Sequence, residues 1–235
     1  MTLTFGQRFK RKQEAKAALL KGMELAPTPE SLHIQRLELQ QDVDYAAALP
    51  TRADRIEYKR DISLPKWVPV VERYLATGKV HQNPIFAWCV IWLFDVGDFD
   101  KALDWADIAI AQGQKTPDNL KREFSAFVAD TIMEWAQTQH ALGHSIEPYF
   151  SRTFTNVREK WRLHEEINAK WFKFAGLILL SDHNGKPVPS AVDDVEALDE
   201  ADKLLAQAER FNPNIGVKTM RNKILMRINK LTEAP

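Results

Sequence analysis

Apolar residues along this chain recur at helical spacing almost everywhere, and the two-residue alternation of strands is missing. The densest stretch runs from Leu64 to Gly113. It opens with Leu-Pro-Lys-Trp-Val-Pro-Val-Val and continues through Asn-Pro-Ile-Phe-Ala-Trp-Cys-Val-Ile-Trp-Leu-Phe. Trp67, Trp88, Trp92 and Trp105 fall within it, with the lone Cys89. Aromatic side chains bury the most apolar area per residue, so this stretch is expected to form the densest part of the core. Three helices are predicted here: Pro65–Ala76, then one started by Asn83-Pro84 and running to Val96, then one capped by Asp98 and running to Gly113.

Punctuation divides the rest. Residues 4–25 read as a basic helix. Pro27 and Pro29 break the chain, and Thr28 caps a helix that reaches Leu49. On that helix Leu32, Leu39, Val43 and Ala46 share one side, while Ile34, Leu37 and Tyr45 share roughly the opposite one. A helix apolar on two sides is sandwiched between partners, which here means another subunit or another part of the chain. Thr51–Ser63 reads as a short charged helix whose cations and acids pair at helical spacing, with a phosphate-tracking face as the other reading. Thr116-Pro117-Asp118-Asn119 is expected to open a helix that ends at Gly143. Helices over Ser145–Arg162, Leu163–Leu180, Asp193–Asn212 and Ile215–Leu231 complete an all-α chain.

One hexapeptide recurs. Ala102-Leu103-Asp104-Trp105-Ala106-Asp107 returns 95 residues later as Ala197-Leu198-Asp199-Glu200-Ala201-Asp202. Small residues at helical spacing let helices approach closely, and each copy follows a strongly apolar helix. The pattern resembles tetratricopeptide-type helical hairpins. The expected organisation is a basic arm over 1–26, oligomerisation helices over 27–63, and a helical-hairpin domain over 64–235.

Charge is balanced overall, 32 basic against 32 acidic residues, but not locally. Residues 1–21 hold Arg8, Lys10, Arg11, Lys12, Lys16 and Lys21 against the single acid Glu14. Such a block matches phosphates, and it also fits a solubilising tail or an anionic membrane surface. The last helix carries a second set, Lys218, Arg221, Lys223, Arg227 and Lys230, beside the packing face Val217, Met220, Ile224, Ile228 and Leu231. DNA, an acidic partner or plain solvent are its readings. The longest apolar run, Ile85–Phe94, is too short to span a bilayer, and the basic N-terminus lacks a signal-peptide core. One cysteine cannot form an internal disulfide, which fits a reducing cytoplasm.

Catalytic signatures are missing. No glycine-rich phosphate loop, Cys-x-x-Cys, His-Glu-x-x-His or Gly-x-Ser-x-Gly occurs. His140 and His144, His164-Glu165-Glu166 and Asp182-His183-Asn184 have the residue types of metal ligands, and helix capping explains the last two groups as well. No catalytic or metal-binding residue is assigned.

The segments Leu64–Val71, Trp92–Leu103, Gly113–Pro117, Ala175–Leu177 and Gly216–Lys218 resemble the small terminase subunit of tailed phages, GpM type. The resemblance runs from about residue 5 onward and is closest after Leu64. It implies a genome-packaging protein. Small terminases form homo-oligomers, often rings, recognise double-stranded viral DNA at the packaging site, and recruit a large subunit holding the motor ATPase and nuclease. The GpM type is also described as the terminase endonuclease subunit, acting at cohesive ends; Mg²⁺ is implied only if that label applies to this chain, and no other cofactor is. Location in the host cytoplasm rather than the mature virion is implied too. The basic block from Arg8 to Lys21 is then the candidate DNA contact. Leu32, Ile34, Leu37, Leu39, Val43 and Tyr45 are the candidate oligomer interface. Family members carry a long Lys/Pro-rich tail, and the resemblance implies that its work is either missing here or falls to the N-terminal arm and the last helix. A helical-repeat adaptor that binds protein and not DNA is the alternative.

Overall fold

The computed structural model describes residues 32–182 and 185–233. The expected helix over 4–25 and its Pro27–Pro29 break lie outside them. Everything described is helix, turn or loop, apart from an isolated bridge between Ser181 and Pro187. The chain divides into two compact units, the first ending at Pro65 and the second starting at Lys66.

In the first unit, α1 (Leu32–Ala48) and α2 (Arg52–Tyr58) form a hairpin. Thr51 closes a capping box at the start of α2. Its hydroxyl accepts from the Asp54 amide, and the Asp54 carboxylate accepts from the Thr51 amide. No break follows at Ser63, contrary to the separate helices expected there. A widened π turn over Lys59–Ser63 leads straight into α3 (Leu64–Ala76), with the Leu64 amide donating to the Lys59 carbonyl. The physical reason is Pro65, which has no N–H and whose ring crowds the carbonyl four residues back; widening the turn makes room for it.

The second unit is built around α4 (Pro84–Val96). Nine of its residues are buried, on all sides of the helix. Asn83 caps its start, the side chain accepting from the Ile85 and Phe86 amides, and Gly97 ends it at φ 81°. Asp98 then caps α5 (Phe99–Ala111), as expected. The Phe86 ring lies 5.9 Å from Trp105 of α5 and 6.0 Å from Tyr74 at the end of α3. Phe94 meets Phe127 of α6 (Phe124–Ala141) edge-on at 5.5 Å. Phe99, Trp135 and Tyr149 form a triad that brings in α7 (Tyr149–Glu159), and Phe150 and Phe154 stack on Trp171 of α8 (Glu165–Ile178).

The helix expected to open at Thr116 does not form. Thr116 uses its hydroxyl to reach the carbonyls of Leu120 and Arg122, which closes a loop, and α6 starts at Phe124. This is side-chain competition with helical backbone bonding. Pro148 is likewise the cap of α7 rather than a residue of its first turn.

Beyond α8, the turn at Pro189–Ala191 leads to α9 (Val195–Phe211), capped by Asp194, and then α10 (Lys218–Thr232). Gly176 of α8 sits where a Cβ would meet the Ala201 carbonyl oxygen and Leu205 at 3.0 Å, so α8 and α9 touch backbone to backbone. Leu198, Ala201, Leu205, Val217 and Ile224 form the core beneath, with Met220, Ile228 and Leu231 packed against it. Both copies of the repeated hexapeptide therefore lie on the second helix of a hairpin, α4–α5 and α8–α9. These are helical hairpins; the tetratricopeptide geometry stays an expectation.

A buried amide joins two loops beside α4. Gln114 Nε2 lies within hydrogen-bond distance of the His81 carbonyl (2.7 Å), the Tyr74 hydroxyl (3.1 Å) and Gln112 Oε1 (3.0 Å), its two hydrogens shared among them, and its Oε1 accepts from the Asn83 amide (2.8 Å). Gln82 adds a donor to the Gly113 carbonyl and an acceptor for the Lys115 amide. Replacing Gln114 with Leu keeps the bulk but strands the Asn83 amide, while the His81 carbonyl keeps only the Tyr74 hydroxyl. The expected loss is about 2–3 kcal/mol, measured by denaturant unfolding, since an unpaired buried group costs roughly 1–3 kcal/mol.

Candidate functional site

The proposed DNA contacts Arg8, Lys10, Arg11, Lys12, Lys16 and Lys21 all lie outside the described residues. Of the proposed oligomer residues, Leu32 is in α1 but its side chain is not described. Leu39 is 3 % exposed and belongs to the interior. Ile34 and Val43 are half-buried, while Leu37 and Tyr45 stand 55 % and 56 % exposed. The Tyr45 ring lies 4.7 Å from Tyr58, whose hydroxyl donates to Asp42 at 3.2 Å. Burial, then the charge of Asp42, holds the Tyr58 phenol above its ordinary range. So one side of α1 is internal and the other keeps two large apolar side chains in water.

The basic face of α10 is smaller than its sequence suggests. Arg221 holds Asp202 through two nitrogens, at 2.8 and 3.0 Å, and Glu209 through a third at 2.9 Å. Arg227 donates to the Val192 carbonyl and pairs with Asp193. Their acids come from α9 and the residues before it. Lys218, Lys223 and Lys230 stay exposed.

The arginine anchors follow the repeat. Asp107 and Asp202 are equivalent, 95 residues apart, and each receives an arginine from a later helix. Arg152 of α7 bonds Asp107 at 2.7 Å and Asp104 at 2.8 Å, as Arg221 of α10 bonds Asp202. Two charge-assisted bonds in a planar fork fix orientation as well as distance. Asp107 and Asp202 are thus joints between helices.

A further charged hollow escaped sequence reading. Lys121, Arg122, Arg162 and His164 line a cavity of about 590 Å³ with Glu123 and Asp130, and Arg122 pairs with Asp130. Its residues come from two segments some 40 positions apart, so no local pattern announces it.

Several of the candidate metal ligands are engaged with other partners. His140 Nε2 lies 3.0 Å from Ser181 Oγ, and His144 Nδ1 lies 2.9 Å from Gln139 Oε1, so the two rings are committed to different partners. Ser181 Oγ donates to the Leu177 carbonyl, so its proton is not directed at the imidazole. Asp182 accepts from the Lys186 amide within its loop. His183 and Asn184 lie outside the described residues. Glu165 and Glu166 occupy the first turn of α8, and Glu166 pairs with Lys170. Among the described residues no group of three or more His, Cys, Asp or Glu could hold a metal ion. No described helix is long and apolar enough to cross a membrane.

A family model described as phage small terminase subunit matches residues 36–166, from α1 to the start of α8. The chain belongs to that family. It is similar to a protein of Haemophilus phage HP1 named "Probable terminase, endonuclease subunit", with 42 % identity over 201 residues, covering 86 % of this chain and 72 % of the relative. It is also similar to the "Terminase, endonuclease subunit" of Escherichia phage P2, with 26 % identity over 165 residues, covering 69 % of this chain and 66 % of the relative, just under two thirds. No solved structure matches. Three of the segments that carry the terminase resemblance hold folding devices. Trp92–Leu103 holds the Gly97 and Asp98 turn, Gly113–Pro117 holds the Gln114 staple, and Ala175–Leu177 holds the close approach at Gly176.

Cys89 is fully buried in α4, and burial pushes its thiol far above the ordinary range. Native protein is therefore expected to resist thiol reagents at pH 8, with one equivalent released on denaturation, as read by a chromogenic disulfide titration.

Proposed function

We propose that this chain is the DNA-recognition subunit of a phage packaging terminase. In this reading it binds double-stranded viral DNA at the cohesive-end packaging site and recruits and regulates the large subunit that carries the motor ATPase. The observation that carries it is family membership over residues 36–166, next to a segment with six cations among its first 21 residues. A phosphate backbone is the natural partner of such a block.

Several copies act together. Leu37 and Tyr45, exposed on α1, suit burial by a second copy, and a ring would bring several basic arms to one duplex. The chain works without a cofactor of its own, in the cytoplasm of the infected bacterium, and Mg²⁺ enters with the step that cuts DNA. The relatives' names attach an endonuclease to their subunit. Here cutting is assigned to the complex with the large subunit.

The test replaces Arg8, Lys10, Arg11 and Lys12 with Gln. Binding to duplex carrying the phage ends, followed by anisotropy across a salt series, is expected to weaken at least 10-fold at moderate salt. The log–log salt slope should fall by about 3–4, near 0.9 per lost phosphate contact. Undiminished binding by this variant sinks the arm assignment. No duplex binding by the wild-type chain favours a protein-only adaptor. Mg²⁺-dependent cleavage by the purified chain alone would move the nuclease into it.

A further inference from the structure

On the outer side of α10, a groove of about 510 Å³ runs between that helix and the segment Pro187–Ser190. Its wall is apolar: Pro187 and Val188 are half-buried, Pro189 is buried, and Met226 opposite is 72 % exposed. Methionine at 72 % exposure is unusual on a surface facing only water, and its flexible thioether suits a surface that adapts to a partner.

The groove's charge has one sign. Lys223 and Lys230 line it, both exposed, and no carboxylate does. Arg227 is the third cation of the lining, but it is committed to the Val192 carbonyl and Asp193, where it braces the wall. Neither lysine has an ion-pair partner among the described residues. They are seven residues apart on one helix, so their stems lie about 10 Å apart along its axis, with Met226 between.

The wall offers little backbone for strand addition. Pro187 and Pro189 have no N–H. The Val188 amide donates to the Leu180 carbonyl, and the Val188 and Pro189 carbonyls accept from Ala191 and Val192. Recognition must therefore come from side chains: an apolar group against the prolines and Met226, and an anion at each lysine. A nucleic-acid backbone would use the lysines and leave the apolar wall uncovered.

We infer that this groove docks an acidic segment of a partner protein, in which an apolar side chain is flanked by carboxylates two helical turns apart. A helical segment with acids at i and i+7 and a large apolar residue at i+3 or i+4 matches both the spacing and the lining. The inference is independent of the basic arm, because no residue before Pro187 enters it and its partner is a protein segment rather than DNA.

The probe is a fluorescent helical peptide with Glu at i and i+7 and Leu at i+3 and i+4, titrated by anisotropy with the full chain. Low-micromolar binding is expected, weakened at least 10-fold by Lys223→Glu with Lys230→Glu and at least 3-fold by Met226→Ser. These residues are exposed, so the thermal melt should not move; if the charge reversal does unfold the chain, Lys223→Gln with Lys230→Gln serves in its place. The arm variant with four Gln substitutions is expected to bind the peptide as wild type does, which separates this result from that of the DNA reading. Failure of the wild-type chain to bind the peptide overturns the inference. So does equal binding of a Gln-for-Glu peptide, which would show only apolar adhesion, or of a Ser-for-Leu peptide, which would show only charge. Loss of duplex binding on lysine reversal with peptide binding intact would give the groove to DNA. A change in oligomeric state on lysine reversal, read by sedimentation, with no peptide binding, would give it to a second copy.

Discussion

A helix that is apolar on every side must be covered on every side, and α4 imposes that demand on the second unit. Nine of its thirteen residues are buried. The chain meets the demand with rings. Tyr74 and Trp105 flank Phe86, Phe127 meets Phe94, and the Phe99–Trp135–Tyr149 triad extends the contact to α7. Rigid rings fill such spaces at low entropic cost and hold their neighbours at defined angles. The Gln114 staple follows from the same demand, because the loops at both ends of the α4–α5 hairpin must bury polar backbone beside an apolar helix.

What is built on this base includes a set of joints between helices. Asp107 and Asp202 each take an arginine from a later helix, and Gly176 lets α8 and α9 touch. Several side chains with catalytic potential are tied into the fold: His140 to Ser181, Asp182 to its own loop, Cys89 inside α4.

Local signals were legible wherever one residue decides the outcome. Asn83-Pro84 and Gly97-Asp98 mark the ends of α4 because capping depends on the side chain at one position. The same logic misled at Thr116, whose hydroxyl closes a loop instead of a helix, and at Ser63, where a π turn bridges what looked like a break. The basic face of α10 was misjudged for another reason. The acids that hold Arg221 and Arg227 lie 12 to 34 residues away, beyond the reach of periodicity. The groove beside Met226 was equally hidden, since Pro187–Ser190 read as an ordinary loop. The candidate DNA contacts were legible as charge alone, and the α1 residues as a two-sided stripe of which Leu39 proved internal and Leu37 external.

The repeated hexapeptide differs at its fourth position, and the difference decides which side of each copy is covered. Trp105 is buried and draws neighbours onto its helix, whereas its counterpart Glu200 is exposed. Glu200 thus leaves its side of α9 in water, while α10 covers the side of Leu198, Ala201 and Leu205 and its Arg221 clasps Asp202.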